Sequence, residues 1–584
     1  MSRLPLAALV LTTALTAPAF AQQATDAVQP EEATPLAEPS PDAVSGADDF
    51  MVAAANPIAA QAGYDVLADG GNAVDAMVAV QLMLNLVEPQ SSGIGGGAFL
   101  LYYDAEDGLT SFDGREKAPM AVTPDYFLKE DGERKGFFEA VTGGGSVGVP
   151  GTLKLLYEVH AEHGSKPWAD LLEPVIAQAE AGFTISPRLS ASIAGSQERG
   201  LDAFDTARAY FFQADGTAKE AGTLLQNPEF AETLRAVQSG VDAFYTGDIA
   251  ASIVEAVQTE INPGVMTMED LAAYEIVERE PVCAEYRGLD VCGMGPPSSG
   301  ALTVGQILEL LSHFDIQTMG YGADFAHLFA EAGKLAYADR GLYMADSDFV
   351  RMPTDGLLDD TYMTLRAQLI DRNAAAEDVQ AGNPPWDDAM LLSPDTQSER
   401  PGTSHFSIVD AEGNGISMTT TIETGFGSRV MVGGFLLNNE LTDFSFRSVG
   451  EDGRPIANRI EPGKRPRSSM APTIVMADEE PMLLIGSPGG SRIIAYVAQA
   501  IIGVVDFGMT PQDAIDMGHV VNRNGGTDLE EGTDAAGFAE ALTAMGHEVN
   551  VRGLNSGLHA ILIEENGSLT GGADPRREGV VLGE

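Results

Sequence analysis

The stretch "PGTSHFSIVDAEGNGISMTTTIE", residues 401–423, decides how this chain folds. Side chains alternate across a strand, so Ser404, Phe406 and Ile408 share one face while Thr403, His405 and Ser407 share the other. The second run repeats the alternation, with Ile416, Met418, Thr420 and Ile422 on an apolar face and Ser417, Thr419, Thr421 and Glu423 on a polar one. Asp410 and Asn414 are placed to close a hairpin around "AEG", which sets Ser407 opposite Ser417, His405 opposite Thr419 and Thr403 opposite Thr421. A slip of one residue would put Thr403 against Ile422 and mix the faces, so the pattern selects the first register. Neighbouring Ser404 and His405 then point to opposite sides, a poor way to build a nucleophile–base pair. His405 reads as a buried strand residue. Two threonine hydroxyls are left facing each other at a strand start, which on spacing alone is also an ordinary cross-strand pair.

Outward from this stretch, strand-like runs dominate to the C-terminus: "GGFLLNNE", "TIVMA", "MLLIG", then a helix "AGFAEALTAMG" and the strands of "HEVNVR" and "HAILIEENGSLTGGAD". Upstream, residues 150–390 read mostly as helices joined by Gly/Pro loops. Before those, two Ala-rich helices break at "DGGN", and the glycines Gly93 to Gly97 lead into a strand, a turn at "DAEDG" and a second strand. Those glycines precede a strand rather than follow one, which excludes a dinucleotide or P-loop fingerprint. His160 and His163 in "HAEHG" lack a third ligand or an HExxH pattern and read as surface residues rather than metal ligands.

The 584 residues, 44% hydrophobic, suffice for one large or two ordinary domains. Thirty-three Lys and Arg against 86 Asp and Glu leave a formal charge of -53, which argues against nucleic acid and anionic membrane surfaces as partners. No EF-hand loop pattern accompanies the acids. Met-Ser-Arg, the run "LPLAALVLTTALTAPAF" and Ala19-Phe20-Ala21 read as an export signal over residues 1–21, removed on the way to the periplasm or the medium and leaving no membrane span. Residues 22–48, rich in Ala, Pro and acids and without aromatics, are expected to be a disordered leader. Export permits a disulfide between Cys283 and Cys292, which face each other if "YRG" makes a hairpin turn; two buried free thiols are the alternative.

Several segments resemble the hallmarks of the gamma-glutamyltranspeptidases, also called glutathione hydrolases: "PGTSHFSIVDAEGNGISMTTTIE", "GFLLNNELTDFS", "GKRPRSSMAPTIV", "GSPGGSRII", and nearer the N-terminus "GGNAVDAMVAV", "GIGGGAF" and "DGREKAP". The likeness runs from about residue 50 to the C-terminus. It implies an α+β fold, the four-layer αββα sandwich of the N-terminal-nucleophile hydrolases, built as one composite domain from two self-cleaved subunits. The cut would fall between Gly402 and Thr403, giving a large subunit that ends at 402, its folded part starting near residue 49, and a small subunit of residues 403–584.

That resemblance explains a mid-chain nucleophile. An internal threonine has no local base, whereas a freed Thr403 carries its own α-amine, whose ordinary pKa of about 8 suits a general base. By the same resemblance Thr421 orients the nucleophile, and Gly489 and Gly490 supply oxyanion donors from the backbone. Arg115, Ser468 and Ser469 would bind the glutamyl α-carboxylate, and Glu440 and Asp443 the α-ammonium. Glu423, where many members carry Asn, would add a third acid around that ammonium. The implied activity is cleavage of the γ-glutamyl bond of glutathione and related donors, with the acyl group passed to water, an amino acid or a peptide, without metal or cofactor. The rivals are a cephalosporin or glutaryl acylase of the same fold and an inactive binding homologue. The segment from Asp443 to Ser468 looks short and lacks Tyr, so an open cleft is expected.

Overall fold

The computed structural model describes residues 44–387, 391–395, 397 and 399–584. The export signal and most of the leader lie outside the described residues. Two seven-stranded antiparallel sheets form the centre. The first runs, from edge to edge, Val580–Gly583, Met51–Ala54, Thr403–Val409, Gly415–Thr421, Gly97–Asp104, Gly108–Gly114 and Val277–Arg279. The second runs Gly46–Ala47, Leu569–Ala573, His559–Ile563, Glu480–Gly486, Thr473–Ala477, Leu289–Gly293 and Val282–Tyr286. Each sheet therefore mixes strands from before and after residue 403, so neither part of the chain has a complete sheet of its own.

Period-two patterning fixes what each sheet buries. Phe406, Ile408, Ile416 and Met418 point with Val52, Ala54 and Leu100 into a core shared with the helices Pro57–Ala68 and Ala73–Val87. Met51, Ala53, Leu101 and Val409 point the other way, against Ile474, Leu484 and Ile561 of the second sheet. The second sheet's outer face, through Val475, Leu483 and Ile485, meets the helices Gly300–Ser312, Ala323–Tyr343 and Ile493–Val505. The result is helix, sheet, sheet, helix, as the resemblance implied. The helix starts follow local chemistry: Asn56 caps Pro57–Ala68, which carries Pro at its first turn, and Asn72 with Asp75 forms a capping box for Ala73–Val87.

The decisive hairpin has the register expected from its pattern, with Thr403 paired to Thr421, His405 to Thr419 and Ser407 to Ser417. Asp410 closes it by accepting from Asn414 N–H at 2.8 Å. Cys283 and Cys292 are directly opposed in their hairpin and their sulfurs are bonded.

Two expectations are corrected. The end of the leader is held in place: Gly46–Ala47 pairs with Leu569 and Thr570, and the amides of Asp48 and Asp49 donate to Glu584 O. His160 is buried rather than on the surface, because its helix lies under the Ala73–Val87 layer; its Nε2 sits 3.3 Å from Asp75 Oδ1 and 3.0 Å from Lys166 O. His163 packs its ring 4.9 Å from that of Tyr102.

Candidate active site

Thr403 opens the third strand of the first sheet, and its Oγ1 lies 3.2 Å from Thr421 Oγ1. Valence assigns the protons. Glu423 N–H can only donate, and does so to Thr421 Oγ1 at 2.8 Å, while Gly402 O can only accept, and does so from the same hydroxyl at 2.9 Å. The one Thr421 proton is therefore directed at the carbonyl of residue 402, and the Thr403 hydroxyl must donate to Thr421. Gly402 has φ of 154°, and a Cβ there would sit 2.1 Å from Glu423 O, so only glycine fits before Thr403. Arg577, which sequence reasoning missed, donates from Nη1 to Thr403 O at 2.9 Å.

The neighbouring pair is structural. Ser404 Oγ faces the helical layer and donates to Glu88 Oε2 at 2.9 Å. His405 lies between the sheets with Nδ1 2.9 Å from Thr419 Oγ1, and burial, then His559, push its pKa well below the ordinary value.

Thr403 and Thr421 line a small cavity together with Arg115, Glu423, Glu440, Asp443, Ser468, Ser469 and Gly490. Gly489 and Gly490 have φ of 138° and 59° and lead through a short turn into the helix Ile493–Val505. That places Gly490, just ahead of a helix start, in the same cavity as Thr403, a setting that favours negative charge.

Arg115 is wholly buried. Its Nη2 donates to Asp443 Oδ2 at 2.6 Å and to Arg467 O at 3.0 Å, its Nε donates to Pro466 O at 3.2 Å, and Nη1 pairs with Glu440. Arg115, expected from the sequence to meet a carboxylate, and Glu440 and Asp443, expected to meet an ammonium, are thus in contact with one another here. Glu116 and Glu423 join the same cluster, and Glu423 is held at a φ of 76° with its Oε2 accepting from Asn439 at 2.5 Å. Among the described residues no donor is within hydrogen-bond reach of either oxygen of Glu116, Glu440 Oε2 or Asp443 Oδ1. Burial raises the pKa of Glu423, Glu440 and Asp443 well above the usual carboxylate range, with Arg115 opposing the shift for the last two.

Ser468 and Ser469 are both present, in different employment. Ser468 Oγ accepts from Met470 N–H at 3.1 Å, whereas Ser469 Oγ donates to Glu399 Oε2 at 3.1 Å. Residues just ahead of Thr403 also border the site: Glu399 and Arg400 line the cavity, and the Arg400 guanidinium stacks 4.1 Å from the Phe137 ring centroid.

Two helix-clad antiparallel sheets with a threonine at the head of a central strand make this an N-terminal-nucleophile hydrolase. The sequence pattern of the Gamma-glutamyltranspeptidase family matches residues 59–584. The glutathione hydrolase proenzyme of Bacillus subtilis is 39% identical over 548 residues, 92% of this chain and 91% of the relative. That of Escherichia coli is 35% identical, covering 90% of each. Among solved structures, cephalosporin acylase from Bacillus halodurans superposes with a TM-score of 0.81 at 28% identity, over 94% of this chain and 99% of that one. The chain belongs to the gamma-glutamyltranspeptidase family.

Proposed function

We propose that this chain is an exported, self-processing γ-glutamyl hydrolase and transferase acting on glutathione and related γ-glutamyl compounds. The observation that carries the reading is the Thr403–Thr421 pair, with the second hydroxyl aimed at Gly402 O. Maturation begins when Thr403 Oγ1 attacks the Gly402 carbonyl carbon, polarised by Thr421. The C–N bond breaks, the acyl group moves to oxygen, and water hydrolyses the ester, leaving a Gly402 carboxylate and a Thr403 amine. The products are a large subunit ending at Gly402 and a small subunit of residues 403–584.

In turnover, the freed α-amine accepts the Thr403 hydroxyl proton as oxygen attacks the γ-glutamyl carbonyl. It passes that proton to the departing amine. Backbone N–H groups at Gly489 and Gly490 would hold the oxyanion. Water, an amino acid or a peptide then takes the acyl group from Thr403. The acidic cluster favours a donor with an α-ammonium over a plain glutaryl chain, whose entry would leave Glu116, Glu423, Glu440 and Asp443 without a cation beyond Arg115.

A denaturing gel with N-terminal sequencing of the smaller band, followed by hydrolysis of a γ-glutamyl anilide, tests this. Thr403→Ala should abolish both the cut and turnover, whereas Ser404→Ala should retain measurable activity. A small subunit starting elsewhere than Thr403 would refute the mechanism.

A further inference from the structure

The residues ahead of the bond to be cut read Glu399-Arg400-Pro401-Gly402, and the last two offer few ways to be held. Proline has a locked φ and no N–H to donate, and glycine has no side chain. Arg400 is thus the nearest residue on that side of the bond with a side chain that can grip. Because it precedes a proline it is also steered to extended backbone, so fixing Arg400 fixes the direction in which the chain runs on to Gly402.

The Arg400 guanidinium lies 4.1 Å from the Phe137 ring centroid and 5.5 Å from that of Phe138, which meets Phe137 edge-on at 85°. The ring beneath is backed by others. Phe137 opens the helix Phe137–Val141 and runs parallel to Phe446, 6.4 Å away at 8°, and Phe446 stacks in turn on Phe127 at 4.5 Å and 11°. Phe127 and Phe446 belong to a small buried core with Ala118, Val122, Leu441 and Phe444, against which Phe137 packs. The main chain of Arg400 is held as well: its N–H donates to Glu423 Oε1 at 3.2 Å, and its carbonyl carbon lies so near Gly490 that a Cβ on that glycine would sit 2.5 Å from it. Arg400 is half-buried, a setting that strengthens the stacking of a weakly hydrated, planar guanidinium on an aromatic face.

Self-cleavage needs the Gly402 carbonyl carbon held within reach of Thr403 Oγ1. Downstream, Thr403 is fixed by its strand; upstream, residues 399–402 belong to no helix or strand. We infer that Arg400, stacked on Phe137 and Phe138, is a positioning residue for the cut: it anchors the upstream side of the Gly402–Thr403 bond, so that the Gly402 carbonyl is presented to Thr403 Oγ1 and to the Thr421 hydroxyl that donates to it. This rests on the self-processing reading of the Thr403 site. The stack itself supplies no proton and forms no bond. It gives the aromatic ladder of Phe137, Phe446 and Phe127 a task in maturation.

The test makes the full chain by cell-free synthesis and follows the small subunit in time on a denaturing gel. Arg400→Met, which keeps an unbranched side chain and removes the charge, should slow its appearance by about 5- to 30-fold, as expected for losing a partly desolvated cation–π contact. Arg400→Lys should recover part of the rate, and Phe137→Leu should slow it by a similar factor. Because the two side chains act as one contact, Arg400→Met/Phe137→Leu should be no more than about twofold slower than the slower single variant. For chains that have been cut, kcat/KM on a γ-glutamyl anilide should fall by a smaller factor than the maturation rate, a split that a general loss of folding would not produce. Should Phe137→Leu fail to fold, the Arg400→Met and Arg400→Lys rates decide. Maturation of Arg400→Met at the parent rate, additive slowing in the double variant, or equal losses in maturation and turnover would overturn the inference. A parent chain that stays uncut would overturn the self-processing reading beneath it.

Discussion

Arg576 and Arg115 are both buried among carboxylates, and only the first is balanced. Arg576 donates to Glu530 through Nε and Nη2 at 2.5 and 2.8 Å, to Asp574 through Nη1 at 3.2 Å, and to the carbonyls of Ile515 and Met517 at 2.9 Å each. Its acids are satisfied as well: Asp574 Oδ2 accepts from Leu558 N–H at 3.1 Å and from Ser556, and Glu530 Oε2 accepts from His519 N–H at 2.9 Å. Although burial opposes it, Arg576 holds the Asp574 pKa below its ordinary value. Around Arg115 the acids are in excess, several oxygens have no donor among the described residues, and burial drives the pKa values up. A closed cluster stabilises the fold. An open one keeps acceptors that no described side chain satisfies.

The largest expected effect falls on the balanced cluster. Arg576→Met strands Glu530 and Asp574 and should lower unfolding free energy by about 3–5 kcal/mol, read as a fall in thermal or denaturant midpoint. Arg115→Met should act in the other register, lowering kcat/KM for a γ-glutamyl anilide by at least about 100-fold, because Glu440 and Asp443 lose the group that fixes them. Its thermal midpoint should move much less than that of the Arg576 variant, since carboxyls whose pKa is already raised can take up protons. If the two variants exchange these signatures, the contrast between closed and open clusters is wrong.

Much of this was legible in residues that interact locally. The Thr403–Thr421 pairing follows from two alternating runs and one closing pair, all within the quoted stretch. The Cys283–Cys292 pairing follows from a short hairpin. What was hidden depends on residues brought together from far apart. Arg115 meets Glu440 and Asp443 across more than 300 positions, so the chemistry of each could be named but not that they would neutralise one another. Glu399 and Arg577 carry no local signal at all; a glutamate before a Pro-Gly looks like an ordinary surface residue until the layers are assembled. His160 was misread for the same reason, its helix being covered by another from earlier in the chain.

The smallest effect is a dependence on pH, and it separates the two clusters most finely. Glu116 is fully buried beside Arg115; burial raises its pKa to about 7 against Arg115's opposing pull, while in the unfolded chain it titrates near 4.5. A raised folded-state pKa means that the native protein keeps a proton the unfolded chain has released. The stability tied to that proton is complete below pH 4.5 and is lost as pH rises through about 7. Glu116→Gln cannot ionise and should escape the loss. The variant's thermal midpoint should therefore exceed that of the parent at pH 8, by about 1 °C for each kcal/mol recovered in a chain of this size, with little difference at pH 4. Asp574 is the control with the opposite sign: its lowered pKa stabilises above the unfolded value and is lost as pH falls, so Asp574→Asn should cost more at pH 8 than at pH 3. A Glu116→Gln advantage that is equal at both pH values would mean that Glu116 ionises normally and that the Arg115 cluster is closed after all.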